Sequence, residues 1–182
     1  MIDIYKRKHC MIDLETLSTN YNACIVSIGA CKFTFGDGIT DEFKINIDAK
    51  SAKQAGLHIS PSTIEWWSKQ DPAARKAWQQ NSIPIKDALT QFLEWYGSRS
   101  LVTWGCGANF DITITESALK AVGMEMPWKY HDVMCYRTLK NIIGVETERS
   151  GTYHDALDDA KSQARTLLMH MTPISKDSDV AF

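Results

Sequence analysis

His9-Cys10-Met11-Ile12-Asp13-Leu14-Glu15 is a short apolar run that closes on two acids. The run reads as a strand, and residues i and i+2 of a strand face the same side, so Asp13 and Glu15 project together. Two carboxylates aimed at one spot repel each other unless something positive lies between them. A divalent cation held by oxygen ligands is the natural occupant. Alone, the tripeptide has little force, because a chain with 22 acidic residues produces about one Asp-x-Glu by chance.

The neighbouring sequence gives the strand its setting. Ala23 to Phe35 is rich in Ile, Val, Cys, Ala and Phe and turns at Gly36-Asp37-Gly38. Asp41 to Ile47 then alternates Phe43, Ile45 and Ile47 with polar residues, which predicts three consecutive strands with a hairpin at the glycine turn. The pattern changes at Ser60-Pro61, a helix start in which Ser62 and Glu65 fit a capping box. A helical region carrying Trp66, Trp67 and Trp78 is interrupted at Asp71-Pro72. Ile85, Ala88, Leu89, Phe92, Leu93 and Tyr96 then recur at helical spacing up to Gly97. Leu101 to Trp104 predicts a strand, Phe110 to Val122 a helix, and Tyr130 to Tyr136 a strand followed by a short helix to about Ile143. Asp155 to His170 predicts a long helix with Ala156, Ala160, Ala164, Leu167 and Leu168 on one side. The fold class expected is α/β, with one mixed sheet of five or six strands flanked by helices. The strand order does not follow from this pattern.

Composition bounds the rest. The 182 residues are 44% hydrophobic and 23% charged, as in ordinary globular chains, and suffice for one domain with a full core. The expected division is a single domain over 1–171 and a polar, frayed tail over 172–182. No apolar run approaches a membrane span, and the first eight residues show no secretory signal. Five cysteines without a C-x-x-C pair read as reduced thiols of a cytoplasmic protein. The net charge of -2 argues against gripping a duplex by charge alone, but metal ions gathered by carboxylates can supply positive charge.

Two more acidic sites stand at telling places. Asp111 follows a strand and the glycines Gly105 and Gly107, although Asn109-Phe110-Asp111 also fits a plain helix start with Asn109 as the cap. In His154-Asp155-Ala156-Leu157-Asp158-Asp159, the histidine sits in a loop and Asp159 about one turn into the last helix. The three aspartates there also suit the positive end of a helix dipole. Ala156 and Ala160 favour close approach of this helix to the sheet, which would bring one of its carboxylates beside the first strand.

Taken in order, Asp13, Glu15, Asp111, His154 and Asp159 resemble the DEDDh 3'-5' exonucleases of the RNase H-like fold. MIDLETLS resembles the first motif of that family, NFD the second and HDALDDA the third, and Ile59-Ser60-Pro61 through Trp66-Trp67 is similar to its small RNase T-like branch in phages and bacteria. The resemblance spans about residues 9 to 170. It implies two divalent cations, Mg or Mn, held by Asp13, Glu15, Asp111 and Asp159, with His154 as the general base. It implies release of nucleoside 5'-monophosphates from a free 3' end of single-stranded DNA or RNA, DNA being slightly favoured. Thr16 and Leu17 follow the first motif where the family contacts the terminal nucleotide. Leu17 is a candidate wedge against the base, and a core role fits it nearly as well. Tyr153, beside His154, is a third substrate contact.

Trp66, Trp67 and Trp104 are further candidates for stacking, with core packing favoured for Trp104 and for one of the adjacent pair. Lys6, Arg7, Lys8, Arg137, Lys140 and Arg149 lie near the motifs but read as solvated charges. RNase T-like enzymes often pair, which puts a homodimer among the expectations. Two readings of other classes compete: an inactive nucleic-acid-binding module, and a calcium or structural acid site. Retention of all five motif residues counts against the first, and the absence of D-x-D-x-D-G spacing against the second.

Overall fold

β1 (His9–Thr16) is the strand on which everything else is registered. Its antiparallel neighbour is β2 (Ile25–Thr34), which in turn pairs with β3 (Gly38–Asn46) through the expected hairpin. On its other side β1 runs parallel to β4 (Val102–Gly105), and β4 runs parallel to β5 (Val133–Cys135). The order is β3-β2-β1-β4-β5, so the expected five- or six-stranded mixed sheet has five strands. This computed structural model describes residues 4–97 and 100–171, and the tail expected over 172–182 lies outside them.

Side-chain alternation along β1 divides the molecule into layers. Cys10, Ile12 and Leu14 share a core with α1 (Ala49–Gln54), α2 (Pro61–Ser68), α3 (Pro72–Gln79), α4 (Ile85–Tyr96) and α5 (Asp111–Ala121). Met11 belongs to a second core with Val102, Trp104, α6 (Tyr136–Ile143) and α7 (Ala156–His170). The helical spacing read in α4 is its buried face: Ile85, Ala88, Leu89, Phe92 and Tyr96 are all buried. Each large side chain of that set contributes roughly 1.5–3 kcal/mol.

Close approach of α7 to the sheet depends on one residue that the sequence pattern does not mark. Gly29 of β2 stands opposite Asp13 in the register. A Cβ on it would lie 2.0 Å from the backbone carbonyl carbon of Ala156. Glycine at this point therefore seats the first turn of α7 on the sheet beside the Asp13 side chain.

Several local expectations need correction. The strand expected over Tyr130 to Tyr136 is limited to Val133–Cys135, preceded by a 3-10 turn at Tyr130–Asp132. Asp132 there is buried against Arg7, which holds the turn to the chain start. Helix α2 does start at Pro61, but its cap is Ser60 and no side-chain capping bond forms; Glu65 pairs with Lys69 at 2.7 Å instead. Helix α1 has no strong sequence signal beyond Asp48, whose carboxylate accepts from the backbone N–H of Lys50 and Ser51. The break at Asp71-Pro72 is as expected, with Asp71 capping α3 through Ala73 N–H. Trp104 is a core residue: its indole donates to His9 Nδ1 at 3.0 Å. Nε2 of the same histidine reaches the Ile4 carbonyl, and burial holds His9 neutral with its pKa pulled down to about 4.

Candidate active site

The five motif residues come from three segments of the sequence and meet in one cavity of about 200 Å³. Asp13 and Glu15 reach it because they sit two residues apart on β1. Asp111 is the first residue of α5, just past the end of β4, where a Cβ on Gly105 would lie only 3.0 Å from its own Cβ. The cap residue is Phe110 and makes no side-chain capping bond, so the alternative of Asn109 as cap does not describe this helix start. Backbone hydrogen bonding at Cys106 and Leu14 pulls the Asp111 pKa down, against the larger effect of burial. The Asp111 Oδ2 is buried with no hydrogen-bond partner among the described residues. Asp159 lies in the first turn of α7 and accepts from Arg149 at 2.6 Å.

The other two acids at this helix start have local tasks. Asp155 is the α7 cap, accepting from Leu157 and Asp158 N–H, and also pairs with Lys44. Asp158 accepts from Thr152 N–H at 2.8 Å and packs over Gly151, so it fastens the loop that carries His154. The dipole and capping reading therefore describes Asp155 and Asp158. His154 itself has φ 61°, in the left-handed region. Its ring stands edge-on to Tyr153, Trp66 and Trp67, with centroids 4.0, 5.0 and 5.9 Å away.

Crowding of the acids sets their protonation. Burial first, and the Asp159 charge second, push Asp13 up to about 8. Burial and then Asp13 push Glu15 up to about 9. Burial, then Asp13, raises Asp111 well above the carboxylate range. Burial raises Asp159 too, against the pull of Arg149. His154 moves the other way, below its ordinary 6.5, because burial and the Arg149 charge both disfavour its cation.

Four carboxylates that resist joint ionisation, one with a partnerless buried oxygen, fit a hard divalent cation. Glu15, His154 and Asp159 each present a ligand atom, all within 4.8 Å of one another. The donor set thus suits an oxygen-preferring ion, with an imidazole at its edge.

A second pocket of about 410 Å³ opens beside the acids and shares Leu14, Glu15 and Phe110 with their cavity. Thr16, Thr19, Trp66 and Trp67 line it as well. Trp67 is buried, its indole donating to the Thr16 carbonyl at 2.9 Å, while Trp66 is 43% exposed, dividing the pair as the sequence implied. Leu17 is only 4% exposed, packs in the α1–α5 core and does not line the pocket. Leu14 and Phe110 present the apolar surface there instead. Tyr153 is exposed and lines neither cavity; Arg149 lies over its ring at 4.4 Å. Of the basic residues noted, Arg137 and Arg149 line the acid cavity, whereas Arg7 pairs with Asp132 and Lys140 with Glu146.

Phe110 and Gln163 are site residues that sequence reasoning missed. Phe110 was embedded in the NFD motif, and Gln163 falls one turn after Asp159 on the same face of α7.

The sequence matches the family described as the 3'-5' exoribonuclease Rv2179c-like domain over residues 8–171. It is 27% identical over 127 residues to an exodeoxyribonuclease of Enterobacteria phage T4. That match covers 62% of this chain and 56% of the relative, so the chain spans little more than half of the curated protein. Among solved structures, the nuclease domain of 3'hExo, a DEDDh family member bound to rAMP, superposes with a TM-score of 0.62 at 14% identity, covering 92% of each chain. Exonuclease I of E. coli in complex with a dT13 oligonucleotide superposes with a TM-score of 0.65 at 10% identity, covering 90% of this chain and 41% of that one. At these identities the structures show a shared fold.

Proposed function

The chain belongs to the 3'-5' exoribonuclease Rv2179c-like domain family, and from that premise we propose that it is a metal-dependent 3'-5' exonuclease of the DEDDh type acting on single strands. The observation that carries this reading is the adjacency of the two cavities. The acid cluster and an aromatic slot of nucleotide size share Glu15, Leu14 and Phe110. A terminal base seated between Phe110 and Trp66 leaves its 5' phosphate at the carboxylates.

In this mechanism Asp13, Glu15, Asp111 and Asp159 hold two divalent cations, Mg or Mn. When bound, the ions neutralise the phosphodiester and lower the pKa of the attacking water. His154 takes the proton of that water at a ring nitrogen, which requires the neutral ring that burial and Arg149 favour. Water oxygen bonds to phosphorus, the bond to the 3' oxygen breaks and that oxygen takes a proton from solvent water, so a nucleoside 5'-monophosphate leaves behind a shortened strand with a 3' hydroxyl, and His154 returns its proton to solvent. Thr16 shapes the floor of the slot, and Trp66 supplies the exposed stacking face. Tyr153 acts from the rim, through the Arg149 side chain that lies on it. A single domain over residues 1–171, within which the family match spans 8–171, forms the working unit.

DNA is the substrate put first, on the likeness to the phage exodeoxyribonuclease. RNA is the second reading, favoured by the family's own description and by the Thr19, Ser62 and Thr63 hydroxyls along the slot, which suit a ribose 2' hydroxyl. The same reading puts the protein in the cytoplasm of a bacterial or phage-infected cell, supported by five unpaired cysteines. Among the described residues no helix is long and apolar enough to cross a membrane.

The test is product identity. Unlabelled dT and rU oligomers are digested with Mg, Mn or EDTA, and the released nucleotides are separated by chromatography. Nucleoside 5'-monophosphates in the metal reactions alone support the proposal. Nucleoside 3'-monophosphates, or equal release in EDTA, refute it.

A further inference from the structure

We propose that Gln163 is a positioning residue of this active site, fixing the carboxylate plane of Asp13 for ion binding. The proposal rests on the reading that Asp13 holds a divalent cation. Gln163 lies four residues beyond Asp159 on α7 and is only 5% exposed. Its Nε2 donates to Asp13 Oδ1 at 2.7 Å. Its Oε1 is buried and has no hydrogen-bond partner among the described residues. A long polar side chain with half of its hydrogen bonding unmet is a poor choice for filling space, and an apolar residue of the same length would avoid that cost. Gln163 instead lines the acid cavity, with its Nε2 on Asp13.

The chemistry of the group suits the task. A lysine or arginine here would hold Asp13 by charge and compete with a cation for it. A glutamate would add repulsion to a cluster in which burial and neighbouring acids, Asp159 for Asp13 and Asp13 for Glu15, already push both carboxyls up. A neutral amide donor engages one oxygen of Asp13 and leaves Oδ2 free, without altering the charge that attracts the ion. Seated on α7, it also ties the orientation of the β1 acid to the helix that carries Asp159. Donors that orient metal-binding side chains typically change ion affinity or activity about 10–100-fold when removed.

Gln163→Leu keeps the volume and removes the donor; Gln163→Met does the same with an unbranched chain, should the leucine variant fold poorly. Mn²⁺ binding to chelator-stripped protein is measured by calorimetry, beside melting temperature in EDTA and the separate kcat and KM for an oligonucleotide. Expected is a weakening of Mn²⁺ affinity by about 10–100-fold, an EDTA melting temperature close to that of the unsubstituted protein, because the lost Asp13 bond and the lost unpaired Oε1 offset one another, and a loss in kcat with KM little changed. Asp13→Asn is run alongside and is expected to bind Mn²⁺ far more weakly still. If Asp13→Asn loses the ion while Gln163→Leu binds it with full affinity and turns over normally, the positioning role is overturned and the nuclease reading stands. If Asp13→Asn binds Mn²⁺ as well as the unsubstituted protein, the metal reading and this proposal fall together.

Discussion

Replacing Asp13 with asparagine should destroy activity and yet make the ion-free protein more stable. The carboxyl is pushed from an ordinary 3.8 up to about 8 by burial and by Asp159. Between those two values the folded protein binds a proton that the unfolded chain has released, so stability falls as pH rises through the window. At pH 7 each pH unit above 3.8 costs about 1.4 kcal/mol, or about 4 kcal/mol in total. Asp13 keeps partial contact with solvent, and screening reduces this to about 2–3 kcal/mol. Asparagine removes that cost, relieves Glu15 of the charge that raises it most, and still offers an oxygen to the Gln163 amide. A gain of about 2–3 kcal/mol in a chain of this size corresponds to a rise on the order of 5–10 °C in melting temperature. The assay is a thermal melt of both proteins in EDTA at pH 5 and pH 8. The gain must be larger at pH 8, where the carboxylate charge is most costly. A variant that melts at the same temperature or lower at pH 8 would show that the acids are not crowded against one another, and the case for a cation between them would fail.

Further outcomes follow from the same geometry. His154→Asn should lower kcat about 10²–10⁴-fold, and in the unsubstituted enzyme the acid limb of kcat/KM should lie below pH 6.5, because the rate falls only as pH drops through the lowered His154 value. A limb above 7 in a pH–rate profile would contradict that assignment. Trp66→Ala removes an exposed stacking face worth about 1–3 kcal/mol and should raise KM for an oligonucleotide about 5- to 150-fold, with a melting temperature nearly unchanged; an unaltered KM would remove the base from that slot. Gly29→Ala sets a methyl 2.0 Å from the Ala156 backbone, so the start of α7 must move. It should cost about 1–3 kcal/mol in a denaturant melt and most of the activity, and normal turnover would show that the placement of Asp159 tolerates such a shift.

How much of this was legible in the chain depends on range. The strands and the long helices announce themselves through periodicity, as in Ile85 to Tyr96, because burial of one face leaves its period in the sequence. The five acid and imidazole positions were legible from motif order, and the structure brings all five to one cavity. Contacts across the sheet were not. Gly29 looks like any strand glycine until α7 lies on it, and Gln163 looks like a surface amide until Asp13 is found beneath it. Leu17 failed for the opposite reason: its apolar side chain suits a wedge and a core equally, and the chain turns it inward. At Tyr130–Asp132, a segment expected as the start of a strand forms a turn, with Asp132 drawn in by Arg7, a partner 125 residues away.

The most direct measurement is a cleavage time course on matched single-stranded DNA and RNA labelled at the 5' end, with Mg, Mn or EDTA, beside Asp13→Ala. A ladder that descends one nucleotide at a time, requires metal and vanishes in the variant is the predicted result, and the faster strand decides between DNA and RNA. Full-length substrate in every lane, or a ladder that persists in the variant, would contradict a metal-dependent exonuclease built on these acids.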